Sequence, residues 1–224
     1  VAKEAFDAAL ALWQDDWNAH YGLSQVFESE DAFEPALVAI NAAILADQEE
    51  RSWLFGQRAY FLRMLDRNAQ AITEAERMIS LEPDASNGHT QKALALYGLG
   101  KTAEALESFA TGIEAGAGDD FLLYWYADIL SEDAQFERAA EVIGQSIKVG
   151  GGDASDHTLD AYIAMERKAW DHVLRASDKA LSLDPDLAYP HYYAAVALVN
   201  TAALDAGIAR FDAGVAAGPD GPLG

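Results

Sequence analysis

A 34-residue period runs through most of this chain and limits what it can fold into more than any other feature. Steps of 34 from Pro83 land on Ala117, Gly151, Pro185 and Pro219, so three of the six prolines stand in one column. Twenty-four residues before each of these positions stands an alanine: Ala59, Ala93, Ala127, Ala161 and Ala195. Three places after the alanines come Leu62, Leu96, Leu130, Ala164 and Leu198. Twelve places after them come Ala71, Ala105, Ala139, Val173 and Gly207. No insertion disturbs these columns, and they define repeats at 52–85, 86–119, 120–153, 154–187 and 188–221.

Small residues in two columns, with large ones beside them, are what crossing helices need. Ala or Gly at a crossing lets two axes approach to about 8–10 Å, and the neighbouring leucines fill the remaining space. The proline column falls where a second helix must stop, because proline cannot continue one. Asp119 or Asp120, and Ser155 or Asp156, stand where N-caps are expected. Residues 116–118 and 150–152 read as turns between repeats. One repeat cannot bury both of its faces alone, so neighbours stack. Upstream, the frame slips by one residue. In 17–51, Leu23, Ser24 and Phe27 take the core places of a first helix, and Phe33, Ala36 and Ile40 those of a second. Residues 1–16 read as a half-repeat, a lone second helix that packs through Ala5, Ala9 and Leu12.

The pattern resembles the tetratricopeptide repeat. Its second-helix half is the better match, in Ala105-Leu106-Glu107-Ser108-Phe109 and again in Ala180-Leu181-Ser182-Leu183-Asp184-Pro185. The first helices keep no complete set of the family's Trp, Leu, Gly and Tyr. The resemblance implies an all-α fold, a right-handed superhelical solenoid of antiparallel helix pairs, as a single domain over 1–224. In proteins of this kind, one face of the first helices lines a concave groove that holds a peptide or a helix.

Counting places from the start of each repeat, 4, 8 and 11 pack inward, while 2, 5, 9 and 12 share the other face. Place 2 holds Trp53, Phe121 and Tyr189, and place 5 holds Tyr124 and Tyr192. Place 9 holds Tyr60, Asp128 and Tyr162, and place 12 holds Arg63 and Tyr97. Trp125 and Tyr193 lie at the margin, with Glu132 and Glu166 one place beyond. Aromatic side chains are typical anchors for a partner, although such a stripe also serves to pack one repeat on the next. Chaperone-binding members of the resembled family clamp a C-terminal carboxylate with Lys, Arg and Asn. Arg63 is the one cation at these places, so no such clamp is expected here. The expected ligand is a protein or peptide segment, apolar or amphipathic, with a basic group toward Asp128, Glu132 and Glu166.

Charge narrows the partners further. With 37 acidic against 15 basic residues, the formal net charge is −22. Phosphate backbones and anionic lipid heads are repelled by such a chain, so neither nucleic acid nor direct membrane insertion is expected. No apolar run approaches the ~20 residues that a membrane helix requires. The absence of cysteine excludes disulfides and thiolate metal sites, and leaves cytoplasm and periplasm equally open. The chain opens on Val1 rather than Met, which reads as a piece of a longer protein.

No catalytic, metal or cofactor constellation is expected either. His89, His157 and His191 share place 4, and repeats stacked about 10 Å apart cannot bring them to one metal at ~2 Å. Asp153, Asp156 and Asp160 do not follow the order of a calcium loop and read as helix caps. The leading expectation is a binding scaffold. The alternatives are an accessory region of a larger enzyme, such as a transferase, and a self-association module that forms a homodimer through exposed solenoid ends (Ile208, Phe211 and Val215 at the last helix).

Overall fold

A computed structural model of the chain describes residues 2–218; Pro219, the last member of the proline column, lies outside the described residues with the rest of the tail. The described residues form thirteen α-helices, which pair in sequence as antiparallel neighbours within each of two compact units. One unit runs up to Gly118 and the other from Asp119.

The first unit holds α1 (Ala2–Leu12), α2 (Trp17–Ser29), α3 (Phe33–Ala46), α4 (Ser52–Met64), α5 (Asn68–Leu81), α6 (Ser86–Gly98) and α7 (Thr102–Glu114). The second holds α8 (Asp120–Glu132), α9 (Phe136–Gly150), α10 (Ala154–Glu166), α11 (Trp170–Leu183), α12 (Ala188–Asn200) and α13 (Leu204–Ala217). Within each unit, the even-numbered helices are the first members of their repeats.

The small columns lie at the crossings, as their residue types require. Ala59, Ala93, Ala127 and Ala161 are wholly inaccessible, and so are Ala71, Ala105, Ala139 and Val173. A further buried column stands at place 10, where Phe61, Ala95, Ile129, Ile163 and Ala197 are shut off from solvent. Sequence spacing alone does not single it out, because its residues range from alanine to phenylalanine. Place 4 packs inward in part: Phe55, His89 and Leu123 are buried, while His157 and His191 stay half-buried.

All six turns between the paired helices are built the same way. Place 15 adopts the left-handed conformation at Asp31, Asp66, Gly100, Ala134, Lys168 and Ala202, with φ between 54° and 73°. The amide of place 16 then donates to the carbonyl of place 11: Ala32 to Phe27, Arg67 to Leu62, Lys101 to Leu96, Gln135 to Leu130, Ala169 to Ala164 and Ala203 to Leu198. This six-to-one bond satisfies a carbonyl that the helix end would leave open. Five of the six residues there are not glycine, so the local strain is accepted and outweighed by the helix packing on either side.

The one-residue slip upstream is absorbed in the loop between α3 and α4. Glu50 takes a positive φ of 53° there, and Asp47 gathers the loop by accepting from the amides of Glu49 (3.2 Å) and Arg51 (2.7 Å) and from the Arg51 guanidinium. Burial pushes the Asp47 carboxyl up, but those hydrogen bonds outweigh it and hold its pKa below the usual value.

Two local expectations are corrected. Of the face expected for α1, Ala9 is half-buried, but Ala5 is exposed and Leu12 is 73% exposed. Phe6 does the packing, laid so tightly on Gly22 of α2 that a Cβ added at Gly22 would stand 2.3 Å from its ring. Of the residues expected to cap α10, Ser155 does not: Asp153 is the N-cap and accepts from the Asp156 amide, while the Asp156 carboxylate accepts from the Asp153 amide and completes a capping box. Asp156 also takes a hydrogen bond from the buried Ser146 hydroxyl (2.9 Å). Asp119, by contrast, caps α8 by accepting from Leu122. Asp160 caps nothing and instead pairs with His172 (2.8 Å).

Candidate protein-binding face

The sequence places Trp53, Tyr60, Arg63 and Tyr97 on the first unit and Phe121, Tyr124, Asp128, Tyr162, Tyr189 and Tyr192 on the second. The two sets are treated differently by the fold.

In the first unit the aromatic side chains hold one another. Trp53 on α4 meets Tyr21 on α2 edge-on at 4.7 Å between centroids, and Trp17 at 5.9 Å. The Arg51 guanidinium lies over the Trp17 ring at 4.0 Å and completes the stack. Tyr60 packs against Phe33 and Phe61. Arg63 lies over Tyr60 and donates from Nε to the Gln91 side chain (3.2 Å), so the one cation on this face is engaged internally. Burial lowers its pKa, with Tyr60 partly opposing. Tyr97 is half-buried. At place 5, Gly56 and Thr90 are buried rather than on an open face, as is Leu94 at place 9.

In the second unit the same places open onto clefts. Tyr124 and Asp128 of α8, Thr158 and Tyr162 of α10, and Tyr189 and Tyr193 of α12 line one of about 280 Å³. Tyr193 is its centre, with Tyr162 at 5.9 Å and Tyr189 at 6.1 Å, their ring planes within 40° of its own. Tyr192 packs on Tyr193 from the side, at 5.8 Å. Tyr189 is 48% exposed. Tyr124 also lines a neighbouring cleft of about 400 Å³ with Phe121, Trp125, Asp120, Asp153 and Asp156. Phe121 is 46% exposed at its rim.

No lysine or arginine lines either cleft. Burial raises the Asp128 pKa to about 6, and the negative charge of Glu132 adds to the effect. Burial likewise raises Tyr124 to about 12, with Asp128 the next cause. Tyr193 is pushed higher still, first by burial and then by the tyrosines around it. These phenols are therefore neutral donors at ordinary pH, set beside a carboxylate that burial makes costly to ionise. Trp125 and Tyr193 stood only at the margin of the sequence pattern. The structure places them on the cleft walls: Trp125 beside Asp153, Ser155 and Asp156 of the following repeat, and Tyr193 against Tyr162 of the preceding one.

The histidines behave as packing groups. The Nε2 of His20 lies 2.9 Å from the Gln14 carbonyl and that of His89 lies 2.8 Å from the Pro83 carbonyl. A carbonyl only accepts, so Nε2 carries the proton in both, and each ring latches its helix to the loop before it. Among the described residues no group of His, Asp and Glu is arranged to hold a metal ion. No described helix is long and apolar enough to cross a membrane.

Comparison with known proteins agrees with this reading of the fold. Residues 1–115 match the family model of the bacterial transcriptional activator domain. Over 110 residues the chain is 34% identical to the protein STIP1 homolog of Dictyostelium discoideum, a match that covers 49% of this chain and 18% of that protein. Among solved structures, YrrB, described as a tetratricopeptide-repeat protein with an unusual peptide-binding site, superposes with a TM-score of 0.67 at 17% identity, over 83% of this chain and 95% of its own. The Cut9–Hcn1 assembly of the APC/C superposes with a TM-score of 0.78 at 12% identity, over 98% of this chain and 43% of that one. Pseudomonas aeruginosa pilF does so at 0.63 and 20% identity, over 80% and 82%. With helix pairs, small crossing columns and place-15 turns throughout, the chain is a tetratricopeptide-repeat protein and belongs to the bacterial transcriptional activator domain family.

Proposed function

We propose that this protein is a scaffold or adaptor that binds an apolar or amphipathic segment of another protein along the first-helix face of its repeats. The observation that carries the reading is the row of tyrosines on α8, α10 and α12, which line open clefts instead of filling the core. Tyrosine offers a large rigid contact surface with a hydroxyl at its edge, which suits recognition of a mixed apolar and polar partner. The carboxylates beside the row favour a basic group on that segment. The family name ties relatives to transcriptional activation. With a net charge of −22, this chain contributes to such a role through protein contacts and not through contact with DNA.

The test is capture from an extract of the source cell by the immobilised protein, compared with the triple variant Tyr124→Ala, Tyr162→Ala, Tyr189→Ala. The expected result is a defined set of proteins retained by the parent and lost by the folded variant. A set retained equally by both ends the proposal.

A second reading, self-association, is favoured by one observation. Leu204, Ile208, Phe211 and Val215 lie along one side of α13, and three of them are more than half exposed. Light scattering of the parent and of Ile208→Glu checks it: a mass that stays monomeric at every concentration excludes this reading.

A further inference from the structure

The geometry points to a docking site for one arginine side chain of the partner segment, in the tyrosine cleft between α8, α10 and α12. The inference rests on the groove reading above and narrows it to a single recognised group. Three features argue for it together.

The first is the shape of the lining. Tyr162, Tyr193 and Tyr189 stand in a row with centroids about 6 Å apart and tilts of 36–40° between planes. Such a cluster of rings on a cleft lining offers a flat guanidinium aromatic faces, whose negative charge favours a cation. The second is charge. Asp128 lies on the lining, and no lysine or arginine does. The charged and titratable groups facing Asp128 are Tyr124 and Glu132 from its own helix α8, and Tyr162 and Glu166 from α10. From α12 come Tyr189 and Tyr193. On α9, Arg138 donates to the Tyr126 hydroxyl (2.6 Å) and the Gln135 side chain. The third is the contrast with the first unit, where Arg63 already lies over Tyr60 at 5.7 Å. There the protein supplies its own guanidinium to its own tyrosine. In the second unit the equivalent place 12 is Met165, so the cation has to come from outside.

Arginine fits better than lysine because it stacks as a plane and can offer two parallel donors to a carboxylate. Burial of Asp128 strengthens this pairing, since a desolvated carboxylate gains most from a partner charge. Filling the cleft with a cation should therefore pull the Asp128 pKa back down from its raised value.

The probe is N-acetyl-arginine amide, titrated into the whole protein and followed by NMR, with N-acetyl-citrulline amide as the uncharged isostere and N-acetyl-lysine amide as the point charge. Expected are saturable shifts of Tyr162, Tyr189, Tyr193 and Asp128 with the arginine probe, weaker binding of lysine and none of citrulline. Asp128→Asn should weaken the arginine probe about ten-fold, while the fold, read from the dispersion of the spectrum, is kept. Lowering the pH from 7 to 5 should weaken it in the parent and leave Asp128→Asn unmoved. Equal shifts with citrulline would overturn the inference. So would unsaturable shifts spread over all carboxylates, the signature of a diffuse counter-ion cloud on an acidic chain. If either occurs while the triple tyrosine variant still loses its captured proteins, the groove stands and the arginine reading alone falls. If capture is also unaffected, both fall.

Discussion

The two halves of this chain use one pattern for different ends. Place 2 is Trp53 in the first unit and Tyr189 in the second. Trp53 meets Tyr21 and Trp17 edge-on, and Arg51 covers the Trp17 ring, whereas Tyr189 is nearly half exposed at the rim of a cleft. Place 9 is Tyr60 in one unit, held by Phe33 and Phe61, and Asp128 and Tyr162 in the other, where both are half-buried on the lining of a cleft. The difference teaches that an aromatic at a first-helix face position packs inside its own unit or lines a cleft according to what its neighbours fill. The first unit's aromatics close on one another, and on the proposed reading the second unit's cleft-lining tyrosines are the ones that meet a partner.

The sharpest way to break this contrast is to truncate one residue from each side. Trp53→Ala should cost the first unit about 3 kcal/mol, the usual range for a packed large aromatic, seen as a lower urea midpoint. Tyr189→Ala should cost less than about 1 kcal/mol, because a half-exposed ring loses little on removal. Equal losses would mean that both residues are structural.

Titration offers a second contrast, with opposite signs. Asp128 has a raised folded pKa, so the folded state binds that proton more tightly than the unfolded state. Its ionisation therefore removes stability from the second unit as pH rises from about 4 to about 6. Asp128→Asn should raise stability at pH 7 by roughly 1 kcal/mol, a figure reduced for the water that still reaches the carboxylate. Asp47 in the first unit has a lowered folded pKa. Its contribution is present above the ordinary aspartate range and is lost as pH falls through the lowered value. Urea unfolding at pH 7, 5 and 3 separates the two. A second unit that gains nothing between pH 7 and 5 would contradict the buried Asp128.

The turns should show no contrast at all. Asp66→Gly in the first unit and Lys168→Gly in the second should each stabilise by about 0.5–1 kcal/mol, since glycine removes the left-handed strain at place 15. Gly100→Ala should cost a similar amount. Unequal effects in the two units would show that one turn is held by more than its six-to-one bond. The smallest effects belong to surface ion pairs. Arg77→Gln, which breaks the pair with Glu50 (2.6 Å), and Arg210→Gln, which breaks the pair with Asp178, should each change stability by less than about 0.5 kcal/mol.

Much of the repeat was legible from residue types. The alanines at place 8 and the alanine, valine and glycine at place 20 mark crossings because helix contact has a fixed radius, and only small side chains fit there. Pro83 and Pro185 mark helix ends because their chemistry forbids anything else. The turn at place 15 was legible only at Gly100; Asp66, Ala134, Lys168 and Ala202 give no local sign of a positive φ. The packing of α1 is hidden for a similar reason. Ala5, Ala9 and Leu12 share a helical face, but the ring that closes on α2 is Phe6, against Gly22.

By itself, then, the amino-acid sequence determined the all-α class, the repeat period, the pairing of helices and the scarcity of cations at places 2, 5, 9 and 12. Each of these follows from local chemistry repeated at a fixed spacing. Only the tertiary structure decided which tyrosines line a cleft, that Arg63 is already engaged, and that Asp128 sits where its charge is costly. Those outcomes depend on residues about 30 positions apart meeting across neighbouring repeats, and one repeat's sequence does not say whether the next will fill the gap beside it.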